Sequence, residues 1–250
     1  MGTSDAGVGR DMPGYALFLL GRGVYGGGGC CLLRVQVSCE TVVVLLHCAD
    51  RLDDVLIVGG GIMGSSTAHW LKSRDNNIKV GVVECDPSYN TSATTLSVGG
   101  LRQQFSLPEN IKIGLYARDF MRNYPESLFA CSTVASSSVP DVKFQPHGYL
   151  FLASEAGYDI LKQNHDTQVA NGADIVMMNA EQLRQKFPWL ITDGVVAGCY
   201  GGDNEGWFDP WALLQAFKLS AINRGTDYVT GQVEQFSSQN GRPSGVKHKT

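Results

Sequence analysis

Asp53-Asp54-Val55-Leu56-Ile57-Val58-Gly59-Gly60-Gly61-Ile62-Met63-Gly64, with Glu84 downstream of it, is the stretch that decides the fold. Val55–Val58 is an apolar run rich in β-branched side chains, the composition of a strand covered on both faces. Gly59-x-Gly61-x-x-Gly64 follows at once. In that spacing the first glycine permits a tight turn, the second lets backbone approach a phosphate, and the third lets a helix pack closely on the strand. The helix opened by Ile62 and Met63 would turn its first amides, and the positive end of its dipole, toward negative charge. A glycine pattern alone is weak in a chain with 30 glycines. Its surroundings strengthen it, because a second apolar run, Val80–Val83, ends in Glu84, 20 residues after Gly64. That spacing puts a carboxylate at a strand tip, where ribose hydroxyls donate to it. The stretch reads as a dinucleotide site, compatible with a nicotinamide or a flavin nucleotide.

The chain has 250 residues, enough for one large α/β domain or two small ones with a substantial core. Hydrophobic residues at 43% and charged residues at 18% place it among folded globular proteins rather than disordered ones. A net charge of −4 without a basic stripe argues against nucleic acid as the main partner. The seven cysteines show no CxxC pair and no zinc-type spacing, so reduced thiols and no metal site are expected. Residues 1–52 differ from the rest: they hold ten glycines, four cysteines, four arginines and four acids, and no lysine. Their apolar runs, Ala16–Leu20 and Val42–Leu46, are too short to span a bilayer. Asp5, Asp11 and Glu40 depart from the acid-poor pattern of a mitochondrial presequence, so the segment reads as a poorly ordered or non-standard leader.

From residue 53 the elements follow in order. A helix is expected over Ile62–Arg74, with an apolar stripe of Met63, Thr67, Trp70 and Leu71. His69 within it reads as a packing or surface histidine. The loop Thr91-Ser92-Ala93-Thr94-Thr95-Leu96-Ser97-Val98-Gly99-Gly100 is rich in hydroxyl and glycine residues, and its place just after Glu84 suggests hydroxyls and amides donating to a cofactor. Arg102 follows, a side chain able to hold a carboxylate by paired hydrogen bonds. Further helices are expected over Pro108–Tyr124, Glu155–Asn171 and a stretch capped by Asn179 with Gln182. Strands are expected at Tyr149–Ala153, Ile175–Met178 and Val195–Tyr200, and a serine-rich loop at Ser132–Val139. Asp209-Pro210 opens a long helix buried through Leu213, Leu214, Phe217 and Ala221. The strands Thr226–Thr230 and Gln232–Phe236 come last, before a polar tail from Gly241 that is expected to fade out.

From Asp53 to Gly241 the chain resembles the FAD-dependent amine oxidoreductases of the D-amino-acid oxidase, sarcosine and dimethylglycine dehydrogenase group. The resemblance rests on Val58–Gly64 with Glu84, on LSVGGLRQQFSLPENI (Leu96–Ile111), on GYLFLAS (Gly148–Ser154) and on DNEGWFDPWALLQ (Asp203–Gln215). It implies an α/β fold: an FAD-binding Rossmann-like domain of glutathione-reductase type, with part of an interleaved antiparallel substrate-domain sheet. Nucleotide-binding elements would lie at about 53–125 and 205–240, and substrate-side elements at about 140–204, with the family's C-terminal half absent. The cofactor implied is FAD, held by Gly59, Gly61, Ile62, Met63, Gly64, Glu84, Thr91, Ser92, Ala93, Gly99 and Gly100, with Val233 offering backbone to the adenine. Arg102 is the implied substrate residue, and a small amine or amino acid the implied substrate. Some relatives join the flavin to a histidine in the loop after the ribose acid; residues 91–100 contain none, so no such bond is expected there. No catalytic residue is assigned, and the alternatives are a non-catalytic assembly or scaffold protein that retains the flavin fold, or a truncated isoform without full activity. Within the family the quoted stretches are most similar to a mitochondrial branch tied to assembly of the respiratory NADH dehydrogenase complex, which implies that complex as partner and the matrix as location.

Overall fold

A computed structural model describes residues 35–36, 42–45, 54–129, 135, 138–239 and 242–249. The chain divides into two compact units, Met1–Ser88 with Arg224–Thr250, and Tyr89–Asn223.

In the first unit β3 (Val55–Val58), β4 (Val80–Glu84) and β10 (Asp227–Thr230) pair in parallel with β4 in the middle. The other edge of β3 carries β2 (Val42–Leu45) antiparallel, and β2 carries β1 (Val35–Gln36). These two strands fall within residues 1–52, whose remaining residues lie outside the described ones. The apolar run of β3 is explained by cover on both faces. Ile57 lies under α1 (Ile62–Arg74), while Leu56 packs with Val83 against Val233 and Val246 of the hairpin β11 (Gln232–Gln239) and β12 (Arg242–Lys249). The tail expected to fade out is therefore largely a strand, paired with β11 from Gln232↔Lys249 to Gln239↔Arg242. Its polar composition hides it because pairing, more than burial, holds a hairpin of this kind.

Helix α1 corrects a second expectation. Met63 is 47% exposed, and the buried face is Gly64, Ser65, Ala68, His69 and Lys72. Small residues let the helix axis approach the sheet, and the two longer side chains are individually accommodated. Lys72 Nζ donates to the Asn76 and Ile78 carbonyls at 2.7 and 3.0 Å, closing the turn into β4. His69 is buried, with Ser73 Oγ 3.3 Å from its Nε2 and the Trp70 ring edge-on at 4.8 Å. Burial, aided by the Arg224 charge, lowers its pKa to about 4. The unfolded imidazole takes its proton near pH 6.5, so as pH falls the unfolded chain gains a proton that the folded one refuses, and stability drops. Between pH 7 and pH 5 this removes about 2 kcal/mol. Urea melts at the two pH values should show that loss, and a His69→Gln variant should flatten it; an equal loss in the variant would refute the assignment.

The second unit contains a three-stranded antiparallel sheet, β6 (Tyr149–Ala153), β8 (Ala197–Gly201) and β7 (Val176–Asn179), with β8 central. A two-stranded ladder joins β5 (Gly100–Leu101) to β9 (Gly206–Trp207), and Gln145 bridges the other edge of Trp207. Ile111 of α2 (Pro108–Arg122) and Ala173, Ile175 and Cys199 form a buried cluster, with Met177, Phe105, Leu115 and Leu161 packed on it. After the short α3 (Glu126–Phe129), the helix expected at Glu155 begins with a 3-10 turn, Glu155–Gly157, and continues as α4 (Tyr158–Ala170). Asn179 caps α5 (Ala180–Lys186) in a reciprocal box with Gln182. Asp209 caps α6 (Pro210–Asn223) through the Ala212 amide at 3.1 Å, and the Phe120 and Phe217 rings stack at 5.5 Å. Residues 130–134, 136 and 137, most of the expected serine-rich loop, lie outside the described ones. No helix among the described residues is long and apolar enough to cross a membrane.

Candidate functional site

The glycine turn is built as a cradle. Gly59 adopts φ +94°, a conformation costly for residues with a Cβ, and its amide donates to the Val83 carbonyl at 2.8 Å. Gly61 is the N-cap of α1, where no side chain caps the helix and no acid stands in the first turn. The Ser65 amide reaches back to the Gly61 carbonyl at 2.9 Å, so the helix starts directly out of the turn. A Cβ at Gly64 would fall far inside van der Waals contact of the Gly59 carbonyl oxygen, and 3.2 Å from Ile57 Cγ2. The third glycine therefore has the packing role its spacing predicts.

The Gly60 peptide is held from both sides. Its N–H donates to Glu84 Oε2 at 2.6 Å, and its carbonyl accepts from Ser65 Oγ at 2.7 Å. Ser65 Oγ in turn accepts from the Tyr228 hydroxyl at 3.0 Å, and burial pushes that phenol's pKa up to about 12, so it keeps its proton at neutral pH. Glu84 Oε1 accepts from the Asp86 amide at 2.8 Å. The Cys85 thiol donates to the same Oε1 at 3.5 Å, and since two carboxylate oxygens offer about four acceptor positions, one position on Oε2 remains for a further donor. Sequence reasoning singles out Glu84 and the glycines but not Ser65 and Tyr228, because the two are 163 residues apart and each fits a helix or strand by itself. Met63 and Ile62 occupy the first turn of α1, and Val233 sits against Leu56 and Val83.

The remaining expected residues lie in the second unit. In the loop Thr91–Gly100, side-chain hydroxyls largely hold the loop's own backbone. Thr95 Oγ1 donates to the Tyr89 carbonyl at 2.6 Å, Ser92 Oγ accepts from the Thr95 amide at 3.4 Å, and Ser97 Oγ accepts from the Gly99 amide at 3.1 Å. Leu96 and Val98 are exposed. Gly99 has φ +65°, and its carbonyl accepts from the Phe208 amide at 2.9 Å. Gly100 opens β5, which leads into Arg102. The half-buried Arg102 guanidinium lies over the rings of Phe105 and Phe151, at 4.8 and 5.6 Å from their centroids. Its N–H groups make no hydrogen bond to another described residue, leaving the fork open to a planar anion.

Residues 54–250 match the family described as FAD dependent oxidoreductase, DAO. Among curated proteins the chain is similar to "FAD-dependent oxidoreductase domain-containing protein 1" of Xenopus laevis, 48% identical over 188 residues, which covers 74% of this chain and 37% of that protein. The Bos taurus protein of the same name is 45% identical over 77% of this chain and 39% of its own length. The chain thus spans under two fifths of these relatives. Among solved structures, L-proline dehydrogenase from P. horikoshii is similar with a TM-score of 0.64 at 26% identity, over 76% of this chain and 47% of that one. L-alpha-Glycerophosphate Oxidase from Mycoplasma pneumoniae, solved with FAD bound, shares the fold with a TM-score of 0.59 at 19% identity, over 73% of this chain and 46% of that one. Matched over residues 54–250, the chain belongs to the DAO family of FAD-dependent oxidoreductases.

Proposed function

We propose that this chain contributes to oxidation of a small amine or amino acid that carries a carboxylate, in a mitochondrial protein tied to assembly of the respiratory NADH dehydrogenase complex. The doubly held Gly60 peptide carries the first part of the reading. It fixes Glu84 at the strand tip beside a helix start free of acids and side-chain caps. Those residues fit the adenosine diphosphate half of FAD: backbone amides and the helix dipole take the pyrophosphate charge, and Glu84 accepts from the ribose. Ile62 and Met63 present the first helical turn, and Val233 is the adenine-side backbone. The segments around Thr91, Ser92, Ala93, Gly99 and Gly100 are read as cofactor contacts on the flavin side.

When bound, FAD supplies the acceptor for hydride leaving the carbon next to the amine nitrogen. Arg102 holds the substrate carboxylate by a two-pronged charge-assisted pair, and Phe105 and Phe151 keep water from the guanidinium face, which strengthens that pair. The mitochondrial and assembly parts of the reading are supported by the likeness of Leu96–Ile111 and Asp203–Gln215 to that branch of the family.

The visible absorption spectrum of the purified full-length protein is the first test. A flavin band is expected, released by acid because residues 91–100 carry no histidine for covalent attachment. A colourless protein would sink the reading. A Gly61→Val variant should then fail to restore complex assembly in deficient cells; full rescue would show that assembly does not need the cofactor.

A further inference from the structure

Glu205 is a fully buried carboxylate, immediately before β9. Its Oε1 accepts from the backbone amides of Gln103 and Gln104, the latter at 3.1 Å, and its Oε2 accepts from Gln104 Nε2 at 2.7 Å. Gln104 Nε2 donates also to the Tyr149 carbonyl at 3.0 Å, so its orientation is fixed. The three donors all belong to the two residues that follow Arg102. Ahead of Arg102, Gly100 and Leu101 pair with Trp207 and Gly206, the residues that follow Glu205. Arg102 is thus bracketed: a strand ladder holds one side of it and a buried carboxylate holds the other.

Burial pushes the Glu205 pKa up, against the pull of the donors from Gln103 and Gln104 and of the Arg102 charge. A buried acid held at that cost is better explained by what it fixes than by stability, since well-packed apolar replacements of buried charges are often neutral. What it fixes lies next to a guanidinium with an open fork.

We infer that Glu205 is the positioning residue of Arg102, holding the 103–104 backbone so that the guanidinium stays over Phe105 and Phe151 with its fork presented to an anion. This rests on the reading of Arg102 as the carboxylate anchor, and the two fail separately in the following experiment. The full chain, and its Glu205→Gln and Glu205→Ala variants, are treated with phenylglyoxal, and each arginine's modification rate is read by peptide mass spectrometry. Benzoate is the anion probe, and Arg118 and Arg184 are internal references.

In the wild type, benzoate should slow modification at Arg102 and leave the references unchanged. In Glu205→Ala, Arg102 should react about threefold faster or more, the size of a lost cation–π contact, with the references unchanged. Glu205→Gln keeps one carbonyl oxygen for the backbone amides but sets an amide donor against Gln104 Nε2, so an intermediate rate is expected. Equal acceleration at all three arginines, or none at Arg102, overturns the positioning role. Loss of benzoate protection alone, with Arg102 still answering to Glu205, overturns the anchor and leaves the positioning role standing. Should neither variant fold, hydrogen exchange of the wild type decides. The Gln103 and Gln104 amides, outside helix and strand, should exchange at least about tenfold slower than other loop amides, as charge-assisted bonds require; ordinary loop rates would refute the clamp.

Discussion

A Gly64→Ala variant should lose about 3 kcal/mol of stability, at the upper end of overpacking effects, and the full-length protein carrying it should lose its flavin. The cause is local and stiff. The added methyl meets the Gly59 carbonyl oxygen, with the Gly59 carbonyl carbon at 3.1 Å and Ile57 Cγ2 at 3.2 Å behind it. Two of those three atoms are backbone, so no rotamer change relieves the overlap. Either α1 lifts from the sheet or the glycine turn opens. Both break the same contacts, because Ser65 on the helix and Glu84 on β4 share the Gly60 peptide. Stability and cofactor retention should therefore fall together. Urea melts followed by circular dichroism give the first quantity and the visible flavin band the second. An unchanged urea midpoint would show that the helix and turn are not in the described contact.

A Gly99→Ala variant should be comparably damaging in the second unit, for two reasons that separate experimentally. The left-handed φ of +65° costs a residue with a Cβ about 1 kcal/mol or more. Independently, the Cβ would enter the Phe208 carbonyl oxygen and come within 3.1 Å of Pro210 Cδ. Asparagine tolerates the left-handed region better than alanine. If conformation dominated, Gly99→Asn would recover much of the loss; the collision predicts that it recovers little, with a total of about 3 kcal/mol for either. The Phe208 amide, bonded to the Gly99 carbonyl, should exchange faster in both variants, and Trp207 fluorescence should report the disturbed ladder. A fully stable Gly99→Asn protein would refute the collision.

Much of this architecture was readable from residues. The β3 run, the glycine spacing and Glu84 specify a strand, turn, helix and second strand in which each residue acts on its neighbours in sequence or across one parallel pairing. Asn179 with Gln182, and Asp209 before Pro210, declare helix starts by the same local logic. The misreadings share a cause. The stripe Met63, Thr67, Trp70 and Leu71 ranked positions by hydrophobicity, whereas close approach of helix to sheet favours Gly64, Ser65 and Ala68. The strand Arg242–Lys249 is polar because its partner supplies hydrogen bonds more than a core. Within residues 91–100, Ser92, Thr95 and Ser97 also engage their own loop, a bonding pattern that composition does not reveal. Glu205 has no local mark, since its donors are about a hundred residues away and the turn around it looks like any acidic turn.

The bond from Tyr228 to Ser65 spans 163 residues, and β10 joins β4 across the whole of the second unit. A ribosome that has released the glycine turn and Glu84 has not yet made the strand that braces them. The intervening residues Tyr89–Asn223 emerge first, and their own antiparallel sheet pairs without waiting. The glycine turn is thus completed late in synthesis, after a long interval in which the β4 edge lacks its neighbour. Such an interval exposes an unpaired strand to mispairing. Any ligand that binds the completed turn better than the open one would favour the paired strand by mass action.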